Sequence, residues 1–534
     1  MHLYDSKAQE MRAFEPRHEG RVGMYVCGPT VQSSPHIGHL RSALVYDIMR
    51  RWFTHRGYEV TFVRNVTDID DKILQASADD TAPVPEEWWA RAYRVELEFS
   101  AAYASLGILP PSYEPRATAS IQTMHELIAT LIDRGHAYVA PDASGDVYFD
   151  TASWADYGSF TRQSRDKMEA ATDTEARAKR DPRDFALWKG QKAHEPESAT
   201  WSSPWGPGRP GWHLECSAMA SRYLGTEFDV HGGGLDLRFP HHENELAQSN
   251  AAGHGYARYW VHNGLVTIGG QKMSKSLGNS VFVADLFRLA SPLAVRYYLA
   301  AAHYRSVLDY SPAALVEATS AVERLSTFLD RVARQAGSTS SVTGTDIQSH
   351  RSEALGLPAH PVAVADGVTG MKAAVSPHEA AAPTTPPAEP APPLSSATAV
   401  PSAAPVSPVP VPAAFAAALD SDFGMPEALA VLHETVRRGN QALDSADLAA
   451  AMHADTEVTQ MLGVLGLDPR APQWNVAAQT PSALGFLVER LLTERQSARE
   501  CRDFVAADRI RDTLAAAGIT IEDTNTGTHW SLDT

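Results

Sequence analysis

Residues 24–41 read MYVCGPTVQSSPHIGHLR. Met24, Tyr25 and Val26 form a short apolar run of strand character, Gly28-Pro29 breaks it, and Pro35 opens a helical period at Ile37, Leu40, Leu44 and Ile48. A strand, a tight turn and a helix in direct succession make the first half of a βαβ unit, and YEVTFV at 58–63 supplies the returning strand. The spacing predicts a helix over 35–56 and a βαβ rhythm from 21 to about 110. Such a rhythm implies a parallel sheet with ligands at the carboxyl ends of its strands.

The same stretch carries three kinds of chemistry. Cys27 is a soft metal ligand, and His36 and His39 fall about one turn apart at a helix start. A helix N-terminus offers unpaired N–H groups and the positive end of the helix dipole, which suits an anion such as a triphosphate. The two imidazoles can add donors to that anion. Each residue also has an ordinary alternative: His36 as a capping side chain, His39 as a surface residue, Cys27 as a small core hydrophobe.

Outward from this unit, 534 residues with 44 % apolar content are too many for one core and predict about three domains. The first residues, MHLYDSKAQEMRAF, lack an apolar run, and no stretch approaches the ~20 apolar residues of a membrane helix, so a cytoplasmic protein is expected. Three cysteines, Cys27, Cys216 and Cys501, exclude a disulfide framework and fit a reducing compartment. A formal charge of −18 excludes binding to nucleic acid through the overall field, so any RNA contact needs local basic patches.

The rhythm changes from about 111 to 204 to a helix over 121–134, a hairpin-like piece turning at Ser144-Gly145 and a polar, basic segment, which reads as an insertion into the nucleotide-binding fold. Sheet character returns with FDVHGGG and WVHNGLVTIGG, and 291–334 is helical. From 335 to 412 the chain is rich in Ala, Pro, Ser and Thr; such a segment buries too little apolar surface to offset its ordering entropy and is expected to be a disordered linker. Helical periodicity resumes over 413–468, and 469–534 reads as two helices and a small strand or turn.

Two further constellations bear chemistry. Cys216, His241 and Glu245 can join Cys27 in a zinc shell, the last two lying four apart on one expected helix face. A core cysteine and a charged helix start explain the same residues. In QKMSKSLGN, Gly269 and Gly270 permit a turn while Lys272 and Lys275 supply mobile ammonium groups for a transferring phosphoryl group; a solvated basic loop is the alternative. The glycines of HGGG, 231–234, allow a nucleotide close to the backbone, or simply a tight turn.

HIGH at 36–39 together with KMSKS at 272–276, after a βαβ pattern, resembles the class I aminoacyl-tRNA synthetases. Within that class MYVCGPTV, FVRNVTDIDDKI, DFALWK, GWHLECSAM, FDVHGGGLDLRFPHHENELAQS, KMSKSLGN and the terminal AADRIRDTLAAAGITIEDTNTGTHW resemble the cysteinyl-tRNA synthetase family. The resemblance implies an α/β fold: a Rossmann-like parallel-sheet catalytic domain (1–110 and 205–290) with an inserted connective domain (111–204). A helical bundle (291–334 and 413–468), interrupted by the linker (335–412), and a small C-terminal anticodon-binding unit (469–534) follow.

It further implies ATP-dependent ligation of L-cysteine to tRNA(Cys) through a cysteinyl-adenylate, with Zn2+ on Cys27, Cys216, His241 and Glu245 contacting the substrate thiolate. Thr67 and Trp212 match positions lining the amino-acid pocket. His36, His39, Lys272 and Lys275 match catalytic positions, and Gly38, Gly232, Gly233 and Lys275 ATP-binding ones, with Mg2+ accompanying ATP. Zinc prefers a thiolate to an alcohol oxygen, so coordination can reject serine where pocket shape yields only ~1–3 kcal/mol. Four protein ligands plus substrate then require either five-coordination or displacement of Glu245.

For tRNA, two basic groups are candidates: Arg162, Arg177, Lys179, Arg180, Arg183, Lys189 and Lys192 in the insertion, and Arg495, Arg499, Arg502, Arg509 and Arg511 with Trp530 at the end. Solvated helix faces are the alternative for both. The turn Val31-Gln32-Ser33-Ser34-Pro35 departs from the family, where many members carry an aromatic and an acidic residue after the valine. A monomer is expected. The rival reading is a ligase joining cysteine to an amino sugar through the same adenylate, which needs no anticodon-binding tail.

Overall fold

The apolar period of the opening stretch does what it predicts: Ile37, Leu40, Leu44 and Ile48 are all buried along one helix. In the computed structural model the described residues are 1–78, 86–164, 167–168, 178–273, 279–340, 410–474, 483–501, 503–517, 519–524 and 527–532. In chain order the first part comprises β1 (His2–Asp5), β2 (Glu10–Ala13), β3 (Arg21–Val26), α1 (Ile37–His55), β4 (Glu59–Arg64), α2 (Asp71–Ser77), α3 (Trp88–Ser105) and α4 (Ile121–Asp133). Then come β5 (Ala137–Val139), β6 (Val147–Phe149), β7 (Phe185–Gly190), β8 (Gly208–Pro210), α5 (Trp212–Leu224), β9 (Glu227–Gly234), α6 (Glu243–Ala251) and β10 (Tyr256–Asn263).

The central sheet has the order β10-β9-β3-β4, and every neighbouring pair is parallel. From β3 the chain steps outward to β4, and from β9 outward the other way to β10. The order therefore reverses between β3 and β9, and the crevice beyond their carboxyl ends is where this topology binds ligands. Cys27 on one side and Gly232–Gly234 on the other flank that crevice, and Cys27 N–H donates to Gly232 C=O at 3.1 Å.

Between α4 and α5 lies an antiparallel sheet, β5-β6-β7-β8. Its last strand, Gly208–Pro210, runs past residue 204, where the insertion was expected to end, and leads directly into α5.

The second part comprises β11 (Val266–Ile268), β12 (Gln271–Lys272), α7 (Val283–Leu289), α8 (Pro292–Ala301), β13 (Leu308–Tyr310), α9 (Pro312–Ser340), α10 (Ala413–Asp420), α11 (Met425–Asp444) and α12 (Leu448–Leu465). Ser291 caps α8 by accepting from Ala294 N–H, with Pro292 at the first helical position where its missing N–H costs nothing. The linker expected over 335–412 lies mostly outside the described residues, and α9 runs into its start as far as Ser340. α13 (Ala483–Glu500), α14 (Phe504–Ala516), β14 (Ile519–Thr524) and β15 (Gly527–Leu532) complete the chain. The terminal strand-or-turn is an antiparallel hairpin.

The helices are bolted to α1 by a buried arginine. Arg296, on α8, donates to Asp47 Oδ2 at 2.6 Å, to Leu465 C=O at 2.7 Å and to Leu106 C=O at 2.8 Å. α1 thus carries the two histidines at its start and the grip of the helical bundle in its middle.

Candidate functional site

Four donor atoms from distant parts of the chain meet at the end of β3. Those of Cys27, Cys216, His241 and Glu245 all lie within 4.8 Å of one another. Cys27 Sγ is 3.5 Å from Cys216 Sγ and 3.3 Å from Glu245 Oε1, and His241 Nε2 is 3.0 Å from Glu245 Oε1. Two thiolates on one tetrahedral zinc, each ~2.3 Å from the metal, stand about 3.8 Å apart, so this spacing and soft donor set fit zinc. Cys27, His231, His242 and Glu245 form an overlapping group. It has one thiol and shares two members, so the two-cysteine group is the better match to a thiophilic ion.

Electrostatics of the group follow from burial. Burial pushes the Cys27 thiol up, and its bond to Cys216 adds to the rise. Burial also raises Cys216, but the Cys27 hydrogen bond and His241 outweigh it and bring the thiol down to about 6. Burial alone would lower His241, yet the Glu245 carboxylate holds it up at about 10. Glu245, against the same burial, is held well below the usual range by His231 and His241.

Neighbouring side chains that no motif spacing marks orient these groups. Tyr256 Oη donates to Glu245 Oε2 at 2.6 Å, and His231 Nε2 lies 2.8 Å from the same oxygen. His213 Nδ1 stands 3.0 Å from His241 Nδ1. Asn65 Oδ1 accepts from Gly28 N–H at 2.8 Å and lies 3.5 Å from Cys216 Sγ. His231 was visible as the first residue of HGGG, but no spacing links Asn65, His213 or Tyr256 to positions 27 and 216.

Thr67 and Trp212 both flank this cluster. The Trp212 ring stacks on His241, centroids 4.2 Å apart. Thr67, buried, donates to Glu215 Oε2 at 2.8 Å and accepts from Asn65 Nδ2 at 3.2 Å.

His36 and His39 stack at 3.7 Å between centroids. His36 also caps α1: its Nδ1 accepts from Gly38 N–H, and His39 Nδ1 accepts from His36 N–H. The expectation of unpaired N–H groups at this helix start does not hold. Ile37 N–H donates to Val281 C=O, and those of His39 and Leu40 to His36 C=O, because the strand-like stretch at 281–282 pairs across the helix entry. The imidazoles remain as donors, and burial, with His36 alongside, lowers His39 to about 3, leaving it neutral near pH 7.

Gly269 and Gly270 form the two-residue turn of the β11–β12 hairpin, both at positive φ, +57° and +75°. That is the backbone a tight hairpin demands and glycine supplies. Lys272 ends the hairpin, exposed, 4.0 Å from Asp236. Lys275 lies outside the described residues. In HGGG, a Cβ on Gly232 would stand 2.3 Å from the Tyr46 ring, and one on Gly233 2.8 Å from His242. Close packing of protein side chains thus accounts for both glycines on the faces their Cβ atoms would occupy.

The basic group expected to face RNA in the insertion is largely engaged internally. Lys189 is buried and bonds Asp71 at 2.7 Å, a correction that burial alone dictates. Arg180 lies over Tyr138 at 4.0 Å and Arg183 pairs with Asp181; Arg177 lies outside the described residues. In the terminal unit Arg511 pairs with Asp508 and Asp512, and Arg502 lies outside the described residues. No helix among the described residues is long and apolar enough to cross a membrane.

Three families match in turn along the chain: "tRNA synthetases class I (C) catalytic domain" over 13–320, "DALR domain" over 414–467 and "Cysteinyl-tRNA ligase anticodon binding domain" over 484–530. Over 536 residues, 100 % of this chain and 99 % of the relative, it is 57 % identical to the cysteine–tRNA ligase of Clavibacter michiganensis subsp. michiganensis. It is 56 % identical to those of Clavibacter sepedonicus and Leifsonia xyli subsp. xyli, with the same coverage.

Proposed function

We propose, from the premise that the chain belongs to the cysteinyl-tRNA synthetase family of class I synthetases, a division of labour among its residues. The enzyme is a cysteine–tRNA ligase: it joins cysteine to tRNA(Cys) using ATP. The observation that carries the assignment is the convergence of Cys27, Cys216, His241 and Glu245 within 4.8 Å, with Cys27 itself on the strand-turn-helix unit of His36 and His39.

Cys27, Cys216, His241 and Glu245 would hold Zn2+. When bound, zinc supplies a soft Lewis-acid centre that favours a thiolate over an alcohol oxygen and so selects cysteine against serine. Trp212 and Thr67 line the amino-acid pocket beside this group. The cysteine carboxylate attacks the α-phosphate of ATP in line, with pyrophosphate leaving, and the tRNA's terminal ribose hydroxyl then takes the cysteinyl group from the adenylate, with AMP leaving.

His36 and His39 donate to phosphate oxygens; since His39 is neutral, its contribution is directional hydrogen bonding rather than charge. Lys272 and Lys275 add the mobile positive charge, the latter on the strength of the KMSKS motif. Gly38, Gly232 and Gly233 lie along the ATP side, and Mg2+ accompanies the phosphates. Residues 1–110 and 205–290 form the activating part, 111–204 the connective insertion, 291–334 and 413–468 the bundle, 335–412 the linker and 469–534 the anticodon-reading unit. The chain works as a cytoplasmic monomer.

Ligation to an amino sugar is not favoured, because 484–530 matches an anticodon-binding domain for which that reaction has no use. Cysteine-dependent exchange of pyrophosphate into ATP, with serine as control, followed by charging of tRNA(Cys), tests the assignment. Exchange with cysteine and none with serine is expected; absence of exchange with cysteine, or equal exchange with both, would overturn it.

A further inference from the structure

Four charged side chains meet where the antiparallel sheet touches the core. Arg209 Nη2 donates to Asp71 Oδ1 and, at 2.8 Å, to Glu195 Oε1, while Lys189 Nζ donates to Asp71 Oδ2 at 2.7 Å. Arg209 is 2 % exposed and Lys189 3 %. Removing ions from water is costly, and an apolar contact of equal volume often stabilises a fold as well or better. What an ionic cluster adds is direction: each hydrogen bond fixes a distance and an angle that apolar surfaces leave free to slide.

The cluster joins two particular pieces of chain. Asp71 heads α2 and follows, by four residues, Thr67. Arg209 sits in β8, three residues before Trp212. The chain between Arg209 and Trp212 has no slack: Gly211 N–H donates to Leu187 C=O at 2.9 Å, and a Cβ on Gly211 would stand 2.0 Å from Ala186 C=O. On the other piece, Val31 N–H donates to Thr67 C=O and Thr67 N–H to Pro29 C=O, tying it to the turn after Cys27. A second cross-tie, Thr67 Oγ1 to Glu215 Oε2 at 2.8 Å, lies past Trp212. The Thr67 and Trp212 segments are therefore bolted together on both sides of Trp212, at Thr67 itself and again four residues later at Asp71.

We propose that the Asp71–Arg209 pair, braced by Lys189 and Glu195, is a positioning device for amino-acid selection: it sets the separation between the Thr67 and Trp212 walls, and so the size of side chain gripped beside the metal group. The proposal rests on the reading of Thr67 and Trp212 as pocket walls. Asp71 and Arg209 are positioning residues, acting through the two segments they join. Loss of the pair should widen the pocket while leaving the phosphate side unchanged.

The test uses Asp71→Asn, which removes one charge at constant shape, and Arg209→Lys, which keeps the charge and loses the planar fork. Pyrophosphate exchange is measured against cysteine, homocysteine and ATP, alongside zinc content and Tm. The expected result is a KM for cysteine raised about tenfold and a cysteine-to-homocysteine preference reduced about tenfold, with the KM for ATP within about twofold and zinc retained. A purely structural cluster would lower Tm and leave the preference unchanged. That result in either folded variant overturns the proposal, and so does insolubility of both, since a device that sets pocket width must be separable from folding. Thr67→Ala and Trp212→Ala serve as controls. If neither changes the KM for cysteine, the pocket assignment itself has failed; if they raise it and the Asp71 and Arg209 variants do not, the positioning role alone has.

Discussion

Glu245 turns Oε1 toward Cys27 and His241 and gives Oε2 to His231, whose Nε2 lies 2.8 Å away. The carboxylate is therefore anchored by its far oxygen, with Tyr256 Oη on the same atom at 2.6 Å. Partners of this kind fix the orientation of a metal ligand, and their loss commonly lowers affinity by about 10–100-fold. Tyr256→Phe should weaken zinc binding within that range while the protein stays folded, as chelator competition would measure. Stripping zinc from the parent chain should abolish cysteine-dependent exchange, and adding zinc back should restore it; exchange surviving full removal would contradict the metal assignment.

The Arg296–Asp47 pair predicts a stability loss of a definite kind. Both groups are buried, and Arg296→Met would leave Asp47 with Arg51 as its ion-pair partner beside the Leu109 N–H. Breaking a buried pair from one side costs about 3–5 kcal/mol, to be read from urea denaturation.

The same carboxyl sets a pH dependence. Burial pushes Asp47 up, but Arg296 and Arg51 outweigh it and hold the group below its ordinary value. A carboxyl with a lower pKa folded than unfolded adds stability above its unfolded value of about 3.9, and that stability is lost as pH falls through the folded value. Unfolding free energy should therefore decline below about pH 4, and Asp47→Asn should flatten that decline.

The glycines of HGGG should differ in tolerance. At Gly232 a methyl would meet the Tyr46 ring at 2.3 Å, and Tyr46 is fixed by its hydroxyl between Gly233 and Val261. At Gly234 it meets, at 2.5 Å, only the end of the Asp236 side chain, which can move. Gly232→Ala should destabilise by about 1–3 kcal/mol and Gly234→Ala by clearly less, as thermal denaturation would compare.

The two flanks of the Pro/Ala-rich segment already hold each other. Arg331 on α9 donates to Asp444 on α11 at 2.7 Å and also bonds Asn440, and Gly439 leaves room for the Phe328 ring, which a Cβ there would approach to 2.5 Å. Replacing 345–408 by a short Gly/Ser loop should preserve Tm and charging, since loop length enters stability only as ~0.6 kcal/mol per doubling. Loss of folding or of charging would show that the segment does more than connect.

Much of this protein could be read from the chain. The strand, break and helix of 24–48, the two-glycine turn at 269–270 and the Ser291-Pro292 helix start are local, because backbone preference and side-chain period act over a few residues. The four donors at 27, 216, 241 and 245 were legible through motifs, and the structure brings them within 4.8 Å of one another. Burial was not legible. Lys189 looked like one more surface cation until β7 carried it against Asp71, and the helix start of α1 looked open to an anion until 281–282 paired across it. Nor could sequence pair Asn65 with Cys216, or Tyr256 and His231 with Glu245, because such contacts depend on which strands lie side by side. Short-range order is written in neighbouring residues, whereas desolvation and partner choice are properties of the packed chain.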